Sequence, residues 1–419
     1  MTKRIIAITF IFVCTSVAWA VLGGTIFSRT YDLSSVSETR VASTWGAAQN
    51  QSPPSASFAT QVSKQQETLE NGKKIVKTVQ ESYVTELPLE SSAIAVDLDL
   101  LHRQKGLLWY STYKVKFFGV YGFHNPSDKE QTVDFKLQFP TAQAIYDDLT
   151  FTVDGNPVSL SNQNNAVTAS VKIGPGRTTK LTVGYRSQGL NEWRYSFGST
   201  NVTQVRDFGL RMNTNFKDID FPDNTLSPSV KKETDKGWEL TWSYKSLLSG
   251  YQIAMVMPEK LQPGPLAGKI SFFAPVSLFF FFFLMLIITT MRGIELHPMN
   301  YFFLAAAFFS FHLLLAYLVD HVSIHTAFAI SAVASVFLVV SYLRLVVGIR
   351  FASREAALAQ FIYLVMFSYA FFLKGFTGLA ITIGSVLTLF VVMQITGRIR
   401  WHEKFAVKNP ADQQAPQSS

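Results

Sequence analysis

The chain has one cysteine, Cys14, among 419 residues. That excludes an intrachain disulfide and any cysteine-based metal site. Val13 precedes Cys14, and it is not the small residue that lipoprotein processing requires. Enzyme signatures are also missing. There is no H-E-x-x-H, G-x-S-x-G, Walker A or dinucleotide G-x-G-x-x-G pattern. Gly174-Pro175-Gly176-Arg177 is glycine-rich, but it joins two strand patterns and reads as a hairpin loop. No internal repeat is visible. The expectation is a protein that is not an enzyme and holds no cofactor and no metal.

What is present is apolar. The composition is 48% hydrophobic and only 16% charged, and the 36 Phe are uneven, with Phe279–Phe283 in one run. The net charge of +8 does not point to nucleic acid, because basic residues cluster beside apolar runs. Lys3 and Arg4 precede the first run, Ile5 to Phe27. Ala18-Trp19-Ala20 has the A-x-A form of a signal-peptide cleavage site. The run is also long enough to span a bilayer, and a retained anchor over residues 1–27 is the favoured reading. Residues 28–70 read as a weak polar helix (Leu33, Val36, Val41, Trp45) and a linker around Pro53-Pro54.

From residue 71 to 260 the period changes to two. Val133, Phe135, Leu137 and Phe139 alternate with polar residues. So do Val167, Ala169, Val171 and Ile173; Leu181, Val183 and Tyr185; and Trp238, Leu240, Trp242 and Tyr244. Such alternation places the apolar members on one strand face. Asp154-Gly155-Asn156-Pro157 and Asp235-Lys236-Gly237 supply turns. About ten short strands predict an antiparallel β-sandwich. Gly119 and Gly122 suggest a bulge. Residues 261–269, with Pro263-Gly264-Pro265, read as a stiff connector. Residues 270–397 hold five apolar runs, near 270–290, 301–319, 323–343, 356–373 and 376–396. Residues 398–419 read as a basic, disordered tail. The fold class is thus a mixed membrane protein: an anchor helix, an exported antiparallel β-sandwich and a block of five transmembrane helices.

Orientation follows from charge. With the N-terminus inside, the inner helix ends hold Lys3, Arg4, Arg292, Arg344, Arg350, Arg354, Arg398, Arg400, Lys404 and Lys408. The short outer loops hold only Lys374. The positive-inside rule then puts both termini in the cytoplasm and the β domain outside.

Candidate residues gather on one helix. His297, Pro298 and Asn300 open it; proline suits the first helical position, and the flanking side chains can cap free backbone groups. Asp320 and His321 close it. His325 follows His321 at a spacing that could hold a metal on a continuous helix, but the polar turn breaks that geometry. His312 lies mid-helix. An ionisable group at that depth is a functional candidate, or a neutral imidazole bonded to a neighbouring helix. Ala327, Ser331 and Ser335 form a small-residue face for close packing inside the protein or between copies. Asn201-Val202-Thr203 matches a glycosylation acceptor.

Leu296-His297-Pro298, Asn300-Tyr301 and Asp320-His321 resemble the CreD inner-membrane proteins. Their pattern is L-H-P-x-Q-Y, an apolar helix, then E-H. Asn300 stands for Gln and Asp320 for Glu, with no gap, and His312 falls where an aromatic is usual. The resemblance implies a multi-pass bacterial inner-membrane protein linked to envelope integrity and stress responses, including colicin tolerance and β-lactam-responsive regulation. It carries over no catalytic residue. The expected partners are the lipid bilayer, a periplasmic protein or envelope component, and a second copy of the chain. Two alternatives stay open: a transporter or channel for a small or lipidic molecule, and a receptor that signals through a separate partner.

Overall fold

The structure is a computed structural model that describes residues 2–70, 73–105, 108–198 and 203–397. Asn201-Val202, the tail at 398–419 and the side chains of Lys3, Leu33, Val36 and Thr203 lie outside the described residues. The chain divides into two units. One comprises Met1–Ser34, Gly106–Leu108 and Leu261–Ser419; the other comprises Ser35–Lys105 and Trp109–Lys260.

The first unit is helical. Among the described residues six helices are long and apolar enough to cross a membrane: Arg4–Thr30 within α1 (Thr2–Trp45), α3 (Ala274–Arg292), α4 (Pro298–Leu318), α5 (Ile324–Val347), α6 (Ile349–Phe372) and α7 (Thr377–Thr396). A short helix, α2 (Pro263–Phe272), precedes α3. The stretch expected as a stiff connector is therefore largely helical. Pro263 starts α2, where a missing N–H costs nothing. The stretch expected as linker differs too. α1 runs on to Trp45, since no Pro or Gly interrupts residues 25–45. It stops at Gly46, whose φ is +98°. A Cβ there would lie 2.2 Å from the carbonyl oxygen of Gln188, so no other residue fits.

α6 begins earlier than the apolar run suggested and has two π-helical stretches, Ala352–Ala356 and Phe361–Met366. Its two arginines, Arg350 and Arg354, lie within the helix. The helical core gathers Trp19, Phe281, Tyr301 and Phe308, all fully buried. α7 stays at the margin, with Val392 as its buried residue.

The second unit is β-rich. Its strands form sheets of eight, five and three strands. The alternation seen in the sequence is the burial pattern. Val133, Phe135 and Leu137 are buried while Thr132, Asp134 and Lys136 face outward. Trp193, Trp242, Tyr113, Tyr121, Tyr185 and Tyr195 fill the core. Among the described strands most neighbours are antiparallel, but Gln49–Gln51 pairs in parallel with Glu192–Tyr195, and Leu89–Lys105 with Thr203–Thr214. Strands begin before residue 71, and Ser55–Glu70 pairs along its length with Lys73–Glu86.

Two local features differ from expectation. Pairing of Leu108–His124 with Thr178–Leu190 runs unbroken across Gly119 and Gly122. Those positions lack a side chain because the Tyr121 ring and the Ser91 hydroxyl occupy the space, at 2.7 and 2.5 Å from a Cβ. The register shift falls between Gly184 and Arg186 instead. Gly174–Gly176 is not a hairpin loop. It links Ala166–Ile173, in the five-stranded sheet, to Thr178–Leu190, in the eight-stranded sheet.

Candidate functional site

The residues singled out on α4 divide by what they touch. His297 is exposed and caps α4: its Nδ1 accepts from the Met299 N–H at 3.2 Å. Pro298 is the first helical residue. Asn300 reaches sideways, and its Oδ1 accepts from the Tyr342 hydroxyl of α5 at 2.7 Å. His321 lies exposed in the turn after α4. His325 sits in the first turn of α5 with its ring 5.1 Å from that of Phe372. The helix break separates these two histidines, and among the described residues no group of three metal-ligating side chains occurs.

Three others share one seam with α1. At one end, Arg4 donates to the Tyr301 hydroxyl at 3.4 Å and lies 5.9 Å from the ring centre. At the middle, Trp19 packs edge-on against His312 at 5.6 Å, Phe309 at 5.2 Å and Phe308 at 6.1 Å. At the other end, Arg29 pairs with Asp320 at 2.8 Å and covers Tyr317. The contacts run in the same order along both helices, so α1 and α4 are parallel.

Among the described residues His312 makes no hydrogen bond to a neighbouring helix, which differs from one expectation. Its Nδ1 lies 3.2 Å from the Phe308 carbonyl oxygen, one turn back in α4. A carbonyl only accepts, so Nδ1 carries the hydrogen and Nε2 is left as an acceptor. That Nε2 is buried without a partner, and so is the Trp19 indole N–H. An unused acceptor and an unused donor thus lie on two rings in edge contact.

The small-residue face packs inside the protein. Ala327, Ser331 and Ser335 are buried, and Ser335 donates to the Ala307 carbonyl of α4 at 2.5 Å. Gln360 of α6, missed in the sequence, donates to Ser335 Oγ at 2.8 Å and keeps a buried, unpartnered Oε1. A long amide within an apolar run was its only signal. At a helix end, Arg292 pairs with Glu355. Beside α6, Phe280, Tyr363, Met366, Ile381 and Ser385 line a groove of about 460 Å³.

The β-rich unit holds a larger cavity of about 820 Å³. Its buried wall includes Leu87, Phe123, Phe197, Val205 and Phe208; Glu86, Lys136 and Arg206 are exposed members of the lining. Phe197 and Phe208 meet edge-on at 5.1 Å, and Tyr195 lies 5.9 Å from each. Nearby tyrosines are hard to ionise. Burial raises the hydroxyls of Tyr113, Tyr185 and Tyr195, and it pushes Tyr146 up to about 12.

Membrane-length helices joined to a β-rich unit define a multi-pass membrane protein. The description "Inner membrane protein CreD" matches residues 1–402. The chain belongs to the CreD inner membrane protein family. No curated protein matches it. Among solved structures it is similar to a putative nutrient binding protein from Legionella pneumophila, at 12% identity and a TM-score of 0.35, over 56% of this chain and 76% of that one. It is also similar to an M1 zinc metallopeptidase from Deinococcus radiodurans, at 10% identity and a TM-score of 0.27, over 41% of this chain and 42% of that one. At these scores neither likeness carries an argument.

Proposed function

We propose that this chain is a non-enzymatic envelope-integrity protein of the bacterial inner membrane. In this reading both termini are cytoplasmic and the β-rich unit is periplasmic, where it binds an envelope component. The basic residues at alternate helix ends support the orientation. The observation that carries the binding role is the cavity of about 820 Å³ in the β-rich unit. It falls in the range of small-molecule sites, about 300–1,000 Å³. Tyr301, His312, Asp320 and Asn300 serve as a structural signature that holds the helices in register, while His297, Pro298 and His321 shape the ends of α4.

Photo-crosslinking in intact cells tests the role. A crosslinker at Gln138, which lines the cavity, is compared with one at Lys232, an exposed residue that is not part of its lining. The expected result is a discrete adduct at Gln138 alone. Equal labelling at both positions rejects the cavity as a binding site.

A second reading, transport of a lipidic molecule, is favoured by one feature. The groove beside α6 is almost wholly apolar, and Tyr363 donates across it to Thr388 of α7 at 2.9 Å. Lipid crosslinked at Ile381, and retained on substitution of the β-rich cavity, would favour it.

A further inference from the structure

We propose that the strand Lys73–Glu86 docks edge to edge on the same strand of a second copy of this chain, in an antiparallel pair centred on Val79. The strand is the outer member of the five-stranded sheet, and among the described residues nothing pairs with its far edge. Its neighbour Ser55–Glu70 meets the rest of that sheet through residues 55–57, which pair with residues 134–136. Beyond them, among the described residues, the two strands pair with each other alone, as far as Glu70 opposite Lys73. At the rise of an antiparallel strand this ribbon is roughly 40 Å long.

A two-stranded ribbon is marginal in water, and further strands stabilise it. Here residues 59–65 of one strand and 82–86 of the other are all exposed. One face is nonetheless partly apolar. Tyr83 lies opposite Thr60, Glu81 opposite Val62 and Val79 opposite Lys64, and residues directly opposite share a face. Val62, Val79 and Tyr83 are 47%, 40% and 50% exposed. These side chains are open to contact, and the outer edge beside them is a template for another strand.

The order of residues along the edge selects the occupant. A two-fold pair sets its central residue against its own copy. With Val79 at the centre, Glu81 falls opposite Lys77, Tyr83 opposite Ile75 and Thr85 opposite Lys73, and each match occurs twice. Opposite charges and aromatic–β-branched pairs are favourable cross-strand combinations. A centre at Thr78 or Gln80 sets Lys77 opposite Val79 or Tyr83 instead, and the charge match is lost. The free edge of Ser55–Glu70 has no equivalent, because placing Lys64 opposite Glu70 sets Glu67 against itself. Lysines on an edge discourage pairing in general, so this edge admits a strand that brings a carboxylate to the matching position. Glu81 meets Lys64 at 3.6 Å with both side chains well exposed. Such a pair contributes little and leaves Glu81 available to the second copy.

The test uses the full chain in a Cys14→Ser background, in opened membranes treated with a mild oxidant. Val79→Cys is expected to give a disulfide-linked dimer, because residue 79 meets its own copy at about 4.5–5.5 Å between Cα atoms. Tyr83→Cys alone is expected to give none, whereas co-expressed chains carrying Tyr83→Cys and Ile75→Cys are expected to give the mixed dimer. Charge exchange reads the same register without a thiol. Lys77→Glu or Glu81→Lys sets like charges opposite each other and is expected to raise the dissociation constant of the detergent-solubilised dimer about tenfold. The double exchange, Lys77→Glu with Glu81→Lys, is expected to restore it, which separates pairing from folding.

Absence of the Val79→Cys dimer would overturn the proposal. So would a dissociation constant that neither single exchange changes, or one that the double exchange fails to recover. A Val79→Cys disulfide to a different protein, at the expense of the dimer, would overturn the second copy as the occupant of this edge.

Discussion

Removing the indole of Trp19 tests whether α1 is a permanent part of the helical unit. The side chain is fully buried and meets three rings, those of Phe308, Phe309 and His312. An aromatic pair contributes about 0.5–1.5 kcal/mol, which makes about 2–4 kcal/mol for three. A soluble-core Trp→Ala change costs about 3–5 kcal/mol. That figure is an upper bound here, because lipid removes the aqueous transfer contribution and leaves packing. We therefore expect Trp19→Ala to destabilise by about 2–3 kcal/mol. For a unit of this size that lowers Tm by about 5–10 °C, read by thermal unfolding of the purified chain in detergent. Val17→Ala is the control, since Val17 is 59% exposed on the same helix. Its effect should stay within about 0.5 kcal/mol. Intact mass supplies the second readout. Cleavage after Ala20 would remove Trp19, and the two variants would then behave alike. Equal Tm values, or a mass lacking the first twenty residues, would falsify the retained α1.

Tyr342→Phe and Asn300→Leu remove one hydrogen bond from opposite sides. A double-mutant cycle should give a coupling of about 0.6 kcal/mol, and at most about 1.7; zero coupling would show that the bond does not form. Arg29→Gln with Asp320→Asn breaks an ion pair whose side chains are 41% and 25% exposed. Its coupling should be below about 1 kcal/mol and shrink with salt, and salt-independent coupling would mean the pair is more enclosed than it is here. Folded pKa values of the buried tyrosines lie above the ordinary 10.0, with Tyr146 at about 12. Their stabilisation is complete below pH 10 and is lost as pH rises toward the folded values, because the unfolded chain ionises first. Circular dichroism and the share of tyrosinate absorbance that Tyr185→Phe removes should change together above pH 10; that share appearing near 10 without unfolding would contradict the burial of Tyr185. Lys236→Cys in a Cys14→Ser background should react with a membrane-impermeant thiol reagent from the periplasmic side, and labelling from the cytoplasm alone would reverse the topology.

The sequence revealed membrane helices and strand faces because both rest on local composition. Val133, Phe135 and Leu137 needed only period two. The helical partners were less legible. In lipid every face of a helix is apolar, so periodicity does not say which residue meets another helix. Trp19 read as the middle of a cleavage pattern, and its contact with His312 has no local sign. The parallel pairing of Leu89–Lys105 with Thr203–Thr214 joins segments a hundred residues apart, and no turn motif marks it. The α2 start was present in the sequence as Pro263 but was outweighed by the neighbouring Gly and Pro. Tyr301 and Asp320 stood out by their pattern, while the seam they form depends on the packing of α1, which has no local sign.

The seam also has a mechanical consequence. Tyr301 and Asp320 are separated by about 28 Å of helix rise, at ~1.5 Å per residue, close to the roughly 30 Å of a hydrocarbon core. Arg4 and Arg29 therefore hold α4 at points nearly a hydrocarbon thickness apart, and Trp19 is keyed between them. Sliding α1 by a single turn, about 5.4 Å, would release all three attachments at once. The static contacts thus favour α1 and α4 moving together over α1 sliding along α4.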